Sequence, residues 1–199
     1  MPETQTDLAA TIGARICHDL ISPIGAISNG LELLALSGSF DSREMALISE
    51  SVKSANAKVR FLRIAFGSAD ANALISATEI SEILANAYTD PRTKICWTMA
   101  SPMARLDVQL LFLLILCAEK IAPYGGAITV CKGGHGFDVI VTGKNLKTDG
   151  FLDFQDNNLM TQNGPSLVQF KLAEAQLAHR GYTLDLVKSY GEIRIGIQT

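Results

Sequence analysis

The chain has 199 residues, 48% of them hydrophobic and 19% charged, which allows one or two domains around a sizeable core and excludes a disordered polymer. A net charge of −3 offers no basic excess for bulk binding to nucleic acid or to an anionic membrane. The longest apolar run, Leu110 to Ala118, is far short of the roughly 20 residues that span a bilayer, and the start Met1-Pro2-Glu3-Thr4 shows no leader pattern, so the cytoplasm is the expected location, with no nucleic acid and no membrane as partner.

From Asp7 to Leu36, apolar residues Leu8, Ile12, Ile16, Leu20, Ile24, Ile27, Leu31 and Leu34 recur at steps of three and four, the stripe of one amphipathic helix. Ser37-Gly38-Ser39-Phe40-Asp41-Ser42 reads as a turn, with Gly38 suited to a C-cap and Asp41 or Ser42 to the next N-cap. A second helix runs to about Phe66. Its residues Met45, Ile48, Val52, Ala55, Val59, Leu62 and Phe66 alternate steps of three and four, the seam of a coiled coil or bundle. A lone hairpin leaves part of each stripe wet, at about 0.8 kcal/mol per CH₂ that could have been buried. A second copy across a two-fold axis covers it as a four-helix bundle, so a homodimer is expected. The alternative is that the rest of the chain folds back over the hairpin.

Gly67 to Ala73 is small and polar and reads as a linker between residues 1–69 and residues 74–199. Beyond it, Ile80 to Tyr88 reads as a short helix, Lys94 to Met99 as a strand, and Leu106 to Ile121 as a helix apolar almost all round, hence buried. Ala127 to Cys131 and Phe137 to Val141 read as strands joined by a Gly-rich hairpin turn. A polar stretch, about Gly143 to Gly164, follows. Pro165 then opens a helix through His179, and Tyr182 to Leu186 and Glu192 to Ile197 close the chain as a strand pair. The order predicts an α+β fold: an N-terminal helical hairpin forming a dimeric four-helix bundle, plus a C-terminal α/β sandwich with helices on one face of a sheet. Cys17, Cys96, Cys117 and Cys131 form no CxxC pair and lie in apolar stretches, which predicts small buried hydrophobes rather than a zinc site.

The residues with chemical potential cluster in the first helix, in Cys17-His18-Asp19-Leu20-Ile21-Ser22-Pro23. His18 lies two positions from both Ile16 and Leu20, about 200° around the helix from each, so it points away from the apolar stripe. Thr11, Arg15, Ser22, Gly25 and Asn29 are expected on its face. A neutral imidazole offers a nucleophilic nitrogen, and Asp19 can hold the other ring N–H. Pro23 removes a helix hydrogen bond one turn on, and small Ser22 and Gly25 leave room for a partner. If the turn centres near residue 39, His18 lies level with about residue 60. There Lys53, Asn56, Arg60 and Arg63 form a basic flank that would attract a phosphoryl group or an acidic pocket.

These residues resemble the H-box of bacterial histidine kinases, in which the phosphorylated His is followed by an acidic residue and by Pro at the fifth position. The stretch Ala14 to Leu33 resembles the ChpT-type histidine phosphotransferases of alphaproteobacteria, and the likeness extends more loosely over the whole chain. The C-terminal half then resembles a degraded histidine kinase ATPase domain of the Bergerat type. The resemblance places the Mg²⁺-holding asparagines at Leu113 and Cys117, the adenine-reading Asp near Thr142, and the second Gly-rich box at Gly164-Pro165-Ser166-Leu167. None retains the expected chemistry. The implied function is a phosphorelay carrier, a phosphotransferase and not an ATP-dependent kinase. His18 accepts phosphate from a receiver domain of a hybrid histidine kinase and passes it to the receiver of a response regulator of the cell-cycle type. Asp19 orients it; Arg15, Ser22, Gly25 and Asn29, with Asn56, Arg60 and Arg63, are the expected docking residues. No cofactor is expected on this chain, and Mg²⁺ is expected in the receiver. The competing reading is a non-catalytic dimeric adaptor for receivers, and a phosphatase side activity using Ser22 is a further possibility.

Overall fold

The computed structural model describes residues 5–37, 42–68, 72–149, 151–159 and 167–199. Two long helices, α1 (Gln5–Ser37) and α2 (Ser42–Phe66), form the expected hairpin. The turn residues 38–41, with the expected caps Gly38 and Asp41, lie outside the described residues. Gly30 lets the two helices close, since a Cβ there would stand 2.6 Å from Ile48 Cγ1. The α2 seam is split. Ile48 and Ala55 are half-buried and Leu62 is buried, whereas Met45, Val52 and Val59 are 46%, 41% and 47% exposed. On α1, Ile21, Ile24 and Leu31 are more than half exposed.

The C-terminal half carries, in chain order, β1 (Leu74–Ile75), α3 (Ala77–Ala87), β2 (Thr93–Trp97), β3 (Met103–Ala104), α4 (Arg105–Ile121), β4 (Gly126–Lys132), β5 (Gly136–Thr142), β6 (Leu152–Asp153), β7 (Asn158–Leu159), α5 (Val168–Arg180), β8 (Thr183–Ser189) and β9 (Glu192–Gln198). The main sheet runs β2-β4-β5-β9-β8, with β2 parallel to β4 and the other neighbours antiparallel. Alternate residues Ile128, Val130, Val139, Val141, Ile193, Ile195 and Ile197 are buried against the helices, so the helices do lie on one face. Leu110 to Ala118 of α4 are all buried, as an all-round apolar helix requires.

Short-range chemistry corrects several boundaries. The third helix begins at Ala77 rather than Ile80 because the Ser76 side chain accepts a hydrogen bond from the Glu79 backbone N–H at 3.1 Å. The polar stretch after β5 contains the β6–β7 pair, pinned by buried Leu152 and Leu159. The last helix begins at Val168; Pro165, its expected opener, lies outside the described residues. The cysteine expectation fails for three of the four: Cys117 is buried, Cys131 is half-buried, and Cys17 and Cys96 are exposed. An apolar run on an amphipathic helix or strand still sends alternate side chains outward.

The C-terminal half folds onto the end of the hairpin. Phe61 of α2 stacks on Phe112 of α4 at 4.5 Å and meets the edge of Tyr88 at 5.6 Å; Phe112 in turn meets the edge of Trp97 in β2 at 6.3 Å. Gln109 Nε2 donates to the Gly67 carbonyl at 2.7 Å, and Arg105 Nη2 donates to the Arg63 carbonyl at 3.2 Å, so α4 caps the last turn of α2. Folding back therefore covers one end of the hairpin, and the exposed apolar residues of α1 and α2 remain. Among the described residues, no helix is long and apolar enough to cross a membrane.

Candidate functional site

Helix α1 presents His18 with its side chain 81% exposed. The ring Nδ1 lies 3.1 Å from Asp19 Oδ1. An ionised carboxylate can only accept, so Nδ1 carries the proton and donates, and the lone pair is left on Nε2. Pro23 sits inside the same helix, five residues on.

Asp19 is itself held from below. Arg15 Nε donates to Asp19 Oδ2 at 3.0 Å, and Arg15 Nη2 lies 3.7 Å from Glu119 Oε2 on the last turn of α4. Arg15 is only 7% exposed, which corrects its expected place on the docking face. It shares a flank with Asp19 one turn away, and that flank meets Glu119 at the end of α4. Around this pair the charges alternate. Lys58 Nζ stands 4.4 Å over the Tyr88 ring, and the Tyr88 hydroxyl is buried beside the Glu119 carboxylate. Burial pushes the Glu119 carboxyl above its usual range, and Lys58 and Arg15 pull it back. Burial, then the nearby Glu119 charge, pushes the Tyr88 phenol up. A cavity of about 450 Å³ opens beside Asp19, lined by Ser22, Pro23, Ser54, Lys58, Tyr88 and Glu119 among others.

The remaining expected residues divide. Ser22 and Asn29 are exposed, and Gly25 is half-exposed with nothing within 4 Å of where a Cβ would stand. On α2 the level is as expected but the face is not. Ser51, Ser54 and Lys58 line the cavity beside Asp19. Asn56 is two positions from both Ser54 and Lys58, about 200° around the helix. Arg60 pairs with Glu79 of α3 at 3.0 Å, and Arg63 is exposed. The basic flank is therefore not assembled beside the imidazole, because burying Phe61, Leu62 and Ala65 against α4 sets the rotation of α2. Sequence reasoning missed Glu119, Tyr88 and Lys58. One signal was available for Glu119: a carboxylate within a helix otherwise apolar almost all round.

The positions where the resemblance would put nucleotide contacts do not fit a nucleotide-bound Mg²⁺. Leu113 and Cys117 are fully buried in α4, burial pushes the Cys117 thiol up, and neither supplies a hard oxygen donor. Thr142 ends β5, with its hydroxyl 3.5 Å from the Ala127 carbonyl. Gly164, Pro165 and Ser166 lie outside the described residues.

The chain is 36% identical over 147 residues to the protein phosphotransferase ChpT of Brucella abortus (strain 2308), covering 71% of this chain and 70% of that protein. It superposes on the 1.7 Å structure of a bacterial phosphotransferase with a TM-score of 0.76 and 28% identity, covering 100% of this chain and 98% of the other. Residues 77–191 match the histidine phosphotransferase C-terminal domain. The match over residues 77–191 and the 36% identity to that relative place this chain in the histidine phosphotransferase family: it is a phosphotransferase of phosphorelay signalling.

Proposed function

We propose that His18 is the phosphoacceptor, carrying phosphate between receiver-domain aspartates of a hybrid histidine kinase and a response regulator. The observation that carries this reading is the exposed imidazole whose Nδ1–H is held by Asp19, leaving Nε2 as the nucleophile. Nε2 attacks the phosphorus of an aspartyl phosphate, the P–O bond to the carboxylate breaks, and the aspartate leaves as its anion. The reverse attack by a second aspartate regenerates neutral His18. Little covalent chemistry is asked of the protein, so positioning and charge neutralisation dominate. Mg²⁺ belongs to the acidic pocket of the receiver in this reading, and this chain binds no cofactor of its own. Ser22, Gly25 and Asn29 form the docking surface on α1.

The reading divides the chain into a phosphotransfer and dimerisation part, residues 1–69, and a C-terminal part, residues 74–199, working in the cytoplasm as a homodimer. The dimer is supported by the half-covered seam: Met45, Val52 and Val59 recur every seven residues, all over 40% exposed, with Ile24 and Leu31 also exposed on α1. Val52→Glu together with Leu31→Glu is expected to yield monomers by light scattering at micromolar protein.

The deciding test mixes the chain with an acyl-phosphorylated receiver and maps the label. Acid-labile, base-stable phosphate on His18, absent from His18→Ala, is expected. A chain that binds receivers without acquiring label is an adaptor, and this reading fails.

A further inference from the structure

We infer that Glu119 is a positioning residue for the phosphoacceptor, acting through Arg15 and Asp19, so that the C-terminal half sets the orientation of His18. The inference rests on the phosphotransfer reading of His18 and adds a contribution from a part of the chain some hundred residues away. The chain of contacts is continuous. Glu119 Oε2 lies 3.7 Å from Arg15 Nη2, Arg15 Nε donates to Asp19 Oδ2 at 3.0 Å, and Asp19 Oδ1 accepts from His18 Nδ1–H at 3.1 Å.

Two features say that Glu119 is not there for stability. It occupies the last turn of α4, where the helix dipole disfavours a negative charge. It is also three-quarters buried, and burial disfavours its ionised form. A carboxylate placed against both effects needs another reason to be there, and its neighbours supply one. Asp19 alone has two oxygens, one on Arg15 and one on His18. Arg15 has a planar fork of donors; the Glu119 carboxylate, an ion-pair partner 3.7 Å from Nη2, draws that arm of the guanidinium away from Asp19, whose Oδ2 accepts from Nε. Glu119 thus keeps Asp19 Oδ1 free for the imidazole. Lys58 and Lys120 are the other cations near this pair, and the Tyr88 hydroxyl beside Glu119 favours its ionised form.

Replacing Glu119 by Gln removes the charge at constant shape. Arg15, no longer drawn toward a charged Glu119, is then expected to engage both Asp19 oxygens, and the imidazole loses its fixed tautomer. The test uses the full-length chain as wild type, Glu119→Gln, Arg15→Met and the double variant. Imidazole ¹⁵N spectra of His18 at a pH where the ring is neutral report the tautomer directly. Phosphotransfer from an acyl-phosphorylated receiver, by rapid quench, reports the rate. In Glu119→Gln the spectrum is expected to move from a single Nδ1–H form toward a tautomer mixture. The saturating transfer rate is expected to fall about tenfold, the lower range for losing an outer-layer partner, while receiver affinity stays within about twofold. The double variant is expected to transfer no more slowly than Arg15→Met alone, because Glu119 acts through Arg15.

An unchanged His18 spectrum in a folded Glu119→Gln protein overturns the inference, and so does a double variant whose losses multiply. If Glu119→Gln does not fold, Arg15→Lys is read the same way. It keeps the charge and loses the fork, and an unmoved spectrum overturns the inference. The spectrum is read without phosphate, so failure of the Glu119 linkage is distinguishable from failure of His18 to accept label.

Discussion

The contact most exposed to refutation is the aromatic junction where the hairpin meets the C-terminal half. Phe61 is fully buried, stacked on Phe112 at 4.5 Å with an interplanar angle of 11°, and edge-on to Tyr88 at 5.6 Å. Phe61→Ala deletes the ring between three helices, α2, α3 and α4, whose backbones are held apart by other side chains, so the space cannot simply close. Phenylalanine-to-alanine changes in such sites cost about 3–5 kcal/mol. Two well-oriented ring pairs, each worth roughly 0.5–1.5 kcal/mol beyond area, place the value in the middle of that range, about 4 kcal/mol. For a chain of this length each kcal/mol is worth about 2–4 °C, so Tm is expected to fall by about 12 °C. Urea titration should show a lower midpoint at unchanged slope. A loss below about 1 kcal/mol, the level of an ordinary surface change, would show that α2 is not packed on α4 as described. The junction also carries Tyr88, which lines the cavity beside Asp19, so the same variant should slow phosphotransfer while leaving His18 in place.

Other outcomes follow from the same geometry. Asp19→Asn keeps the shape but surrenders the acceptor-only carboxylate that fixes the imidazole tautomer. Initial rates of transfer from an acyl-phosphorylated receiver should fall by about 10²-fold, and a rate within twofold of wild type would refute the orienting role. Burial raises the Glu119 carboxyl, so the folded chain binds a proton there more readily than the unfolded chain. The contribution is therefore fully favourable below the ordinary glutamate pKa and is lost as pH rises through the folded value. Urea melts of wild type and Glu119→Gln should show wild type gaining relative stability as pH falls from 7 toward about 4.5, and a difference that shrinks instead would refute it. Burial also separates the thiols: a thiol reagent should label exposed Cys17 and Cys96 in the native chain, whereas Cys117, buried and with its thiol pushed up, should react only after unfolding. Rapid native labelling of Cys117 would contradict the packing of α4. Gly30→Ala forces a methyl to within 2.6 Å of Ile48 and should cost about 1–3 kcal/mol by overpacking, read from the same melts; a neutral effect would mean the two helices do not approach so closely.

Local order was legible because it depends on local spacing. Steps of three and four fixed both hairpin helices within two residues, and the Gly-rich turn between Cys131 and Phe137 marked the hairpin of β4 and β5. His18 and Asp19 were legible for the same reason, being adjacent on one helix whose apolar stripe points elsewhere. What could not be read was anything that depends on which face of a helix a distant element covers. Arg15 looked like a surface cation from its position on α1, and only the arrival of α4 made it a buried link between Asp19 and Glu119. Arg60 and Arg63 were placed at the right level of α2, but packing of Phe61 on Phe112 turned them away and brought Ser54 and Lys58 round instead. A helical period specifies angles between residues of one helix and nothing about the rotation of that helix against its neighbours. That rotation is chosen by the summed burial of side chains from all the elements at once, and so it belongs to the tertiary structure alone.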